Sequence, residues 1–100
     1  MENEILALAI LEPLPGKKEE LVAMLRELYA LLFQKGYSKD TLYIDPKRPG
    51  SLIHLRWWTS KECRDEAQQD PEVHKYWLRL PELCKLTTVH EELETVVQFK

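Results

Sequence analysis

Residues 52–58 (LIHLRWW) constrain the fold more than any other part of the sequence, because they fill both faces of a predicted β-strand. Successive side chains of a strand point to opposite faces. One face is wholly apolar and carries Ile53, Leu55 and Trp57. The other face sets an imidazole and a guanidinium between a leucine and an indole, and it carries Leu52, His54, Arg56 and Trp58. Such a strand needs a layer of protein on both sides of its sheet.

A helix is predicted to begin directly after the paired tryptophans. Thr59 and Glu62 have the spacing of a capping box, in which each side chain bonds the backbone N–H of the other residue. Ser60 is an equally suitable N-cap, so the start stays open between Thr59 and Ser60. The helix is expected over Ser60–Gln69.

The remaining sequence alternates between strands and amphipathic helices. Leucines recur at helical spacing through Lys17–Lys35, and Gly36 marks the end of that helix. Asp70 and Pro71 predict the start of a later helix, which Pro81 interrupts, and a further turn is open at residues 82–86. The apolar face of this later helix carries Val73, Tyr76, Trp77 and Leu80. The four predicted strands are Glu4–Glu12, Ser38–Asp45, Ser51–Trp58 and Glu92–Phe99.

The order of these elements is β-α-β-β-α-β, which predicts a ferredoxin-like α+β fold in one domain over residues 1–100. In this plan a four-stranded antiparallel sheet has its helices on one face only. The first and third strands nevertheless carry apolar residues on both faces. We therefore expect a homodimer in which two sheets pack face to face, because an isolated subunit would expose a large apolar patch.

Composition excludes several classes of function. A net charge of -3 argues against a nucleic-acid partner, and no apolar run reaches the length of about 20 residues that a membrane span needs. Residues 1–11 have neither a basic start nor a cleavage signal, which predicts a cytoplasmic protein. Cys63 and Cys84 are expected to be free thiols. No group of residues has metal-ligand spacing and no glycine-rich phosphate loop is present, so no metal and no other cofactor is predicted.

Three short motifs together resemble the antibiotic biosynthesis monooxygenase family, which belongs to the dimeric α+β barrel superfamily. They are the turn at Pro15-Gly16-Lys17, the strand end Trp58-Thr59-Ser60-Lys61-Glu62, and Asp70-Pro71-Glu72-Val73. The resemblance covers nearly the whole chain. It implies a pocket between sheet and helices that Trp58 lines. Family members include cofactor-independent monooxygenases that oxidise aromatic or quinol substrates with molecular oxygen, and others degrade haem.

The sequence departs from the family at several positions. Ala67 stands where many members have a histidine in the helix after the tryptophan. Of the pattern of the haem-degrading branch only Trp58 is present, since Ala9 and Trp77 stand at the asparagine and histidine positions. Without an axial imidazole haem degradation is disfavoured, unless His74, one turn away, takes its place.

The candidate catalytic residues are His54, Arg56 and Trp58, which share one strand face. An imidazole with a pKa near neutrality could take a phenolic proton, an arginine could hold the anion, and the indole could position the ring. The competing interpretation is that His54 and Arg56 only pair with acidic groups on neighbouring strands, such as Asp45 or Glu94.

Tyr43 and Trp77 are candidate substrate-binding residues. Tyr43 is either a pocket phenol or an ordinary cross-strand aromatic residue, and Trp77 is either core or pocket wall. His74 and His90 are expected at the surface. Three functions stay open: a monooxygenase that oxidises a small aromatic or quinol-type molecule with O₂ and without a cofactor, a non-catalytic dimer that binds a small ligand, and a haem-degrading enzyme.

Overall fold

The computed structural model describes residues 4–99, and within that range the chain forms four strands and four helices. The prediction that no leader is present at residues 1–11 falls partly on residues 1–3, which lie outside the described range. The strands are β1 (Ile5–Pro13), β2 (Ser38–Asp45), β3 (Arg48–Trp58) and β4 (Cys84–Leu93). The helices are α1 (Lys18–Gln34), α2 (Lys61–Gln68), α3 (Pro71–Trp77) and α4 (Leu80–Leu83). In the described part of the chain, no helix has the length and apolarity to cross a membrane.

The four strands form one antiparallel sheet in the order β2-β3-β1-β4. The two strands with apolar residues on both faces, β1 and β3, lie at its centre, where each has a hydrogen-bonded neighbour on either side. The prediction of a ferredoxin-like α+β fold is confirmed. The second helical stretch of the predicted order is divided into α2, α3 and α4.

Helix α1 supplies most of the core on the helix-covered face of the sheet. Its stripe of buried side chains comprises Leu21, Met24, Leu25, Leu28 and Leu32. Gly36 ends the helix at φ +76, a left-handed conformation that glycine adopts without steric cost. This agrees with the stop predicted from the sequence.

The starts of α2 and α3 follow from capping side chains. Ser60 is the N-cap of α2 and accepts a hydrogen bond from the backbone N–H of Cys63, which decides between the two predicted caps. The Thr59 hydroxyl instead donates to the carbonyl oxygen of Gly36. Asp70 caps α3 by accepting from the backbone N–H of Glu72, as predicted.

The prediction of a last strand over Glu92–Phe99 is wrong, because the strand is β4 and spans Cys84–Leu93. The single turn of α4 ends at Leu83, so residues 84–86 extend the sheet and add no further helical turn. Leu93 already lies opposite Leu6, close to the first residue of β1. The chain after Leu93 therefore runs past the end of its partner strand β1, which begins at Ile5.

The face of the sheet that carries no helices is apolar along its two central strands, and these residues are only half covered. Along β1 and β3 its residues are Leu6, Leu8, Ile10, Ile53, Leu55 and Trp57, as the cross-strand register places them on one side. All six are intermediate in exposure. The structure thus shows the apolar outer face that the two-sided pattern of β3 predicted.

Candidate functional site

A cavity of about 510 Å³ lies between the helix-covered face of the sheet and the helices α2 and α3. Trp77, Leu80, Leu86 and Val89 supply apolar wall, while His54 and Arg56 lie among the polar lining residues. Pockets of this size hold small organic ligands, usually with an apolar body and a few polar contacts.

The register of β1 against β3 explains why there is space beside the polar residues. Arg56 lies opposite Ala7 and His54 lies opposite Ala9. The two alanines occupy little volume on the helix-covered face, so the larger side chains of β3 border an open space. Trp58, which is buried, closes the same row and also lines the cavity.

Arg56 forms a buried ion pair with Asp40 of the neighbouring strand β2. The guanidinium Nε donates to Asp40 Oδ2 at 2.5 Å, and the side chain of Asp40 is 0% exposed. The Ser38 hydroxyl donates to the other carboxylate oxygen at 2.7 Å. The guanidinium carbon also lies 5.0 Å from the centroid of the Trp58 ring, within range of a cation–π contact. The charge of Arg56 is therefore compensated and its side chain is held in place.

An acidic partner on a neighbouring strand was one of the two interpretations for Arg56, and the structure supplies such a partner. It is Asp40, however, and neither Asp45 nor Glu94. Asp45 accepts a hydrogen bond from the backbone N–H of Lys47 in the hairpin, and Glu94 follows the last strand. Because Arg56 lines the cavity as well, the ion pair and a place in a pocket exist together.

His54 is held by Tyr29 of helix α1. The Tyr29 hydroxyl oxygen and His54 Nδ1 are hydrogen-bonded at 2.6 Å, and His54 Nε2 lies 3.9 Å from Asp40 Oδ2. Burial and the nearby Arg56 guanidinium lower the pKa of His54 to about 3. The expectation of an imidazole that titrates near neutrality is therefore wrong, and His54 is neutral at pH 7. Burial and the Asp40 charge raise the pKa of Tyr29, so its hydroxyl keeps its proton.

Of the two predicted substrate-binding residues, Trp77 lies at the cavity and Tyr43 does not. Trp77 is half-buried and lines the cavity, beside the ring of His74 at a centroid distance of 5.4 Å. Tyr43 lies opposite Ile53 on the outer face and is 50% exposed. Strand alternation thus puts Tyr43 on the other side of the sheet from the cavity. The structure brings four of the five predicted site residues together, and their chemical roles stay predictions.

Three residues of the site were missed from the sequence. Asp40 shares a strand face with Leu42, so alternation along β2 could have placed it beside Arg56. Tyr29 falls within the helical pattern of α1, which predicts packing and carries no signal of a site. Arg64 of α2 lines the cavity and its Nη1 lies 3.4 Å from Glu92 Oε1 of β4, a contact that the wrong position of the last strand concealed.

No known protein-family profile and no curated protein sequence matches the chain. Solved structures do match it. A candidate antibiotic biosynthesis monooxygenase from Chloroflexus aurantiacus is 19% identical with a TM-score of 0.75, over 96% of this chain and 97% of that chain. SnoaB, a cofactor-independent oxygenase from Streptomyces nogalater, is 14% identical with a TM-score of 0.78, over 96% of this chain and 99% of that chain. Rv0793 from Mycobacterium tuberculosis is 20% identical with a TM-score of 0.75, over 94% of this chain and 99% of that chain.

The chain has the fold of the antibiotic biosynthesis monooxygenases. The resemblance inferred from the three short motifs is thereby confirmed for the fold. Likeness at such low identity carries no information about substrate, because one fold hosts many chemistries. The function has to be argued from the cavity.

Haem degradation, the third predicted function, lacks the axial imidazole that the resemblance implies. Trp77 stands at that position, and His74 is not among the lining residues; its Nε2 contacts the backbone carbonyl oxygen of Gln68. The imidazoles among the lining residues are His54, whose Nδ1 is hydrogen-bonded to Tyr29, and His90, which is exposed.

Proposed function

We propose that this protein is a monooxygenase that uses O₂ without a cofactor to oxidise a small aromatic or quinol-type molecule bound in the cavity. The observation that carries the proposal is the cavity itself, which joins an apolar body to one buried, charge-compensated arginine. Support also comes from the fold, which the cofactor-independent oxygenase SnoaB shares.

The reaction is balanced without an external reductant. A phenol with a hydrogen on the carbon para to its hydroxyl loses both hydrogens and gains one oxygen atom from O₂ to become a para-quinone. A quinol likewise loses two hydrogens and gains one oxygen atom, at a ring carbon that carried hydrogen, to become a hydroxyquinone. The second oxygen atom leaves as water, and the substrate supplies all the electrons. The protein has to favour ionisation of the phenol, because the electron-rich phenolate is the form that reacts with O₂.

Arg56 is the residue we assign to that ionisation. Its Nε donates a hydrogen bond to Asp40. Its other two nitrogens have no hydrogen-bond partner among the described residues and can donate to a phenolate oxygen. A charge-assisted hydrogen bond in a site with little water is stronger than the same bond in water. Trp58 and Trp77 would hold the aromatic ring by stacking or edge contacts.

Oxygen uptake by the pure protein, measured with a panel of reduced quinones and phenols, tests this proposal. We expect turnover with at least one of them, and about a hundredfold lower kcat in the Asp40→Leu/Arg56→Met double variant, which leaves no charge of this pair buried alone. Tyr43→Phe is the matched control, since Tyr43 lies on the opposite face of the sheet and should leave the rate unchanged. The absence of uptake with every member of the panel would contradict the proposal.

The second candidate is a non-catalytic ligand-binding protein, and the low pKa of His54 is the observation that favours it. A neutral imidazole with so little affinity for protons is a poor general base. The two candidates separate on turnover. Wild-type protein that binds a small aromatic ligand but consumes no oxygen with it would favour the binding protein.

We further propose a homodimer in which the apolar outer faces pack together. Support comes from the half-exposed residues of β1 and β3 and from the segment after β4, where Val96 is 92% and Phe99 is 97% exposed. In a dimer these side chains can pack on the other subunit. A cytoplasmic location is part of the same proposal, since Cys63 and Cys84 are both free thiols.

A further inference from the structure

The inner end of the cavity presents nitrogen atoms that have no partner within the protein. Neither His54 Nε2 nor the two Nη atoms of Arg56 make a hydrogen bond to a described residue. Within residues 4–99, however, no fully enclosed side-chain nitrogen or oxygen lacks a partner. These nitrogens are therefore not enclosed. Because both side chains line the cavity, they open into it.

The surroundings of His54 decide which of its ring nitrogens carries the proton. Tyr29 is buried next to Asp40 and keeps its hydroxyl proton, so this hydroxyl can donate to Nδ1 at 2.6 Å. The Asp40 carboxylate, 3.9 Å from Nε2, attracts a proton on that nitrogen. Both neighbours thus favour the neutral tautomer with hydrogen on Nε2. The Arg56 guanidinium can only donate.

We propose that Tyr29 is a positioning residue that fixes His54 as a hydrogen-bond donor. The inner end of the cavity then holds donors only, and it selects a substrate oxygen that can only accept hydrogen bonds. Such an oxygen is a phenolate or a quinone-type carbonyl, and a neutral phenol is disfavoured. The inference rests on the proposed function and deepens it by replacing the expected base with a second donor for the same oxygen.

Other charged groups around the site do not produce this selectivity by themselves. Asp65, Glu91 and Glu92 line the cavity with Arg64 and His90, and Asp40 lies behind His54 and Arg56. The four carboxylates oppose the binding of an anion, whereas Arg64 and His90 can attract one. The part of the preference that is lost in Tyr29→Phe, which leaves all of these groups in place, therefore reports the donors at the inner end.

The proton on His54 can be located directly in the wild-type protein by ¹⁵N NMR of the imidazole nitrogens, without turnover and without a variant. We expect Nε2 to carry hydrogen and Nδ1 to have the chemical shift of a hydrogen-bond acceptor. A spectrum with the hydrogen on Nδ1 would overturn the proposal. Oxygen uptake could still be observed in that case, so this failure would differ from failure of the proposed function.

4-Nitrophenol is a suitable binding probe because its absorbance distinguishes phenol from phenolate. We expect the wild-type protein to bind the phenolate at least about tenfold more tightly than the phenol, which lowers the pKa of the bound probe by about one unit. In Tyr29→Phe this preference should fall at least threefold and the pKa of His54 should rise. Tyr76→Phe is the matched control, since its hydroxyl contacts Glu27 at the surface and its loss should change neither value.

Two results would contradict the role of Tyr29. One is a bound probe whose pKa is unchanged or raised in the wild-type protein. The other is a Tyr29→Phe variant that is folded by its NMR spectrum and keeps both the wild-type tautomer of His54 and the wild-type preference for the phenolate.

Discussion

The two faces of the central sheet bury unlike side chains in different ways. On the helix-covered face, the Asp40 carboxylate is enclosed and accepts hydrogen bonds from Ser38 and from Arg56, which also lines the cavity. On the outer face, side chains such as Leu55 and Trp57 are purely apolar and stay half exposed. The polar groups of the helix-covered face thus find their partners within one chain, whereas the apolar residues of the outer face are not fully covered by it.

This difference indicates that the two faces of β3 have different roles. Charged groups are expensive to bury, so they are retained where they have partners and where a cavity beside them can hold a ligand. Apolar groups need no specific polar partner, and burying them on association is favourable. In the proposed dimer, β3 would serve both purposes because its successive side chains point in opposite directions.

The largest effect on stability is expected from a substitution on the helix-covered face. Asp40→Leu leaves the buried Arg56 charge without its partner, and we expect a loss of about 3–5 kcal/mol in the free energy of unfolding, measured with urea. In the double variant with Arg56→Met, an apolar pair replaces the ion pair and much of the loss should be recovered. A single variant as stable as the wild type would mean that the ion pair does not hold this face together.

The outer face should respond differently. Trp57→Ala should weaken self-association by about 2–4 kcal/mol, less than a fully enclosed tryptophan would, because the indole is already half-buried in the subunit. Trp58→Ala, the adjacent residue on the other face, should enlarge the cavity and leave association nearly unchanged. Sedimentation equilibrium measures both. Equal effects of the two substitutions on association would show that the faces are not divided as described.

The pH dependence of the free energy of unfolding also distinguishes the two faces, because the buried imidazole of His54 lies on the helix-covered face. The pKa of His54 is lowered from 6.5 to about 3, so the unfolded chain binds a proton that the folded chain does not accept between these values. Its contribution to stability is complete above about pH 6.5 and is lost as the pH falls. Between pH 7 and 4.5 we expect a loss of about 2 kcal/mol, which His54→Gln should remove. A wild-type stability independent of pH in this range would contradict the burial of His54.

The smallest effect is expected outside both faces. Lys35 at the end of α1 makes ion pairs with Asp70 at 2.7 Å and Glu72 at 2.5 Å at the start of α3. Because these groups lie at the surface, Lys35→Met should lower the thermal midpoint only slightly, and the difference should shrink in high salt. A loss as large as that in Asp40→Leu would show that this surface contact, and not the sheet, limits stability.

The features that depend on local periodicity could be predicted from the sequence. Contacts between residues far apart in the chain could not. Alternation along β3 placed His54, Arg56 and Trp58 on one face, and helical spacing located α1 and its core. The last strand was misplaced because residues 94–99 alternate as a strand does, although they run past the end of β1, which begins at Ile5.

Pairing between distant elements explains the errors at the site as well. That Tyr29 bonds His54 depends on how α1 crosses the sheet, and no local pattern contains that information. The pKa of His54 follows from burial beside Arg56, which only the assembled core produces. Tyr43 was placed near the site by its neighbourhood in the hairpin, whereas the register puts it on the outer face.

The most direct test of the central claim follows oxygen from ¹⁸O₂ into the product of any substrate that the protein oxidises. If the cavity houses a cofactor-independent monooxygenase, the quinone product carries one ¹⁸O atom and the other appears in water, with no added reductant. A product without ¹⁸O, with hydrogen peroxide formed in its place, would contradict the account.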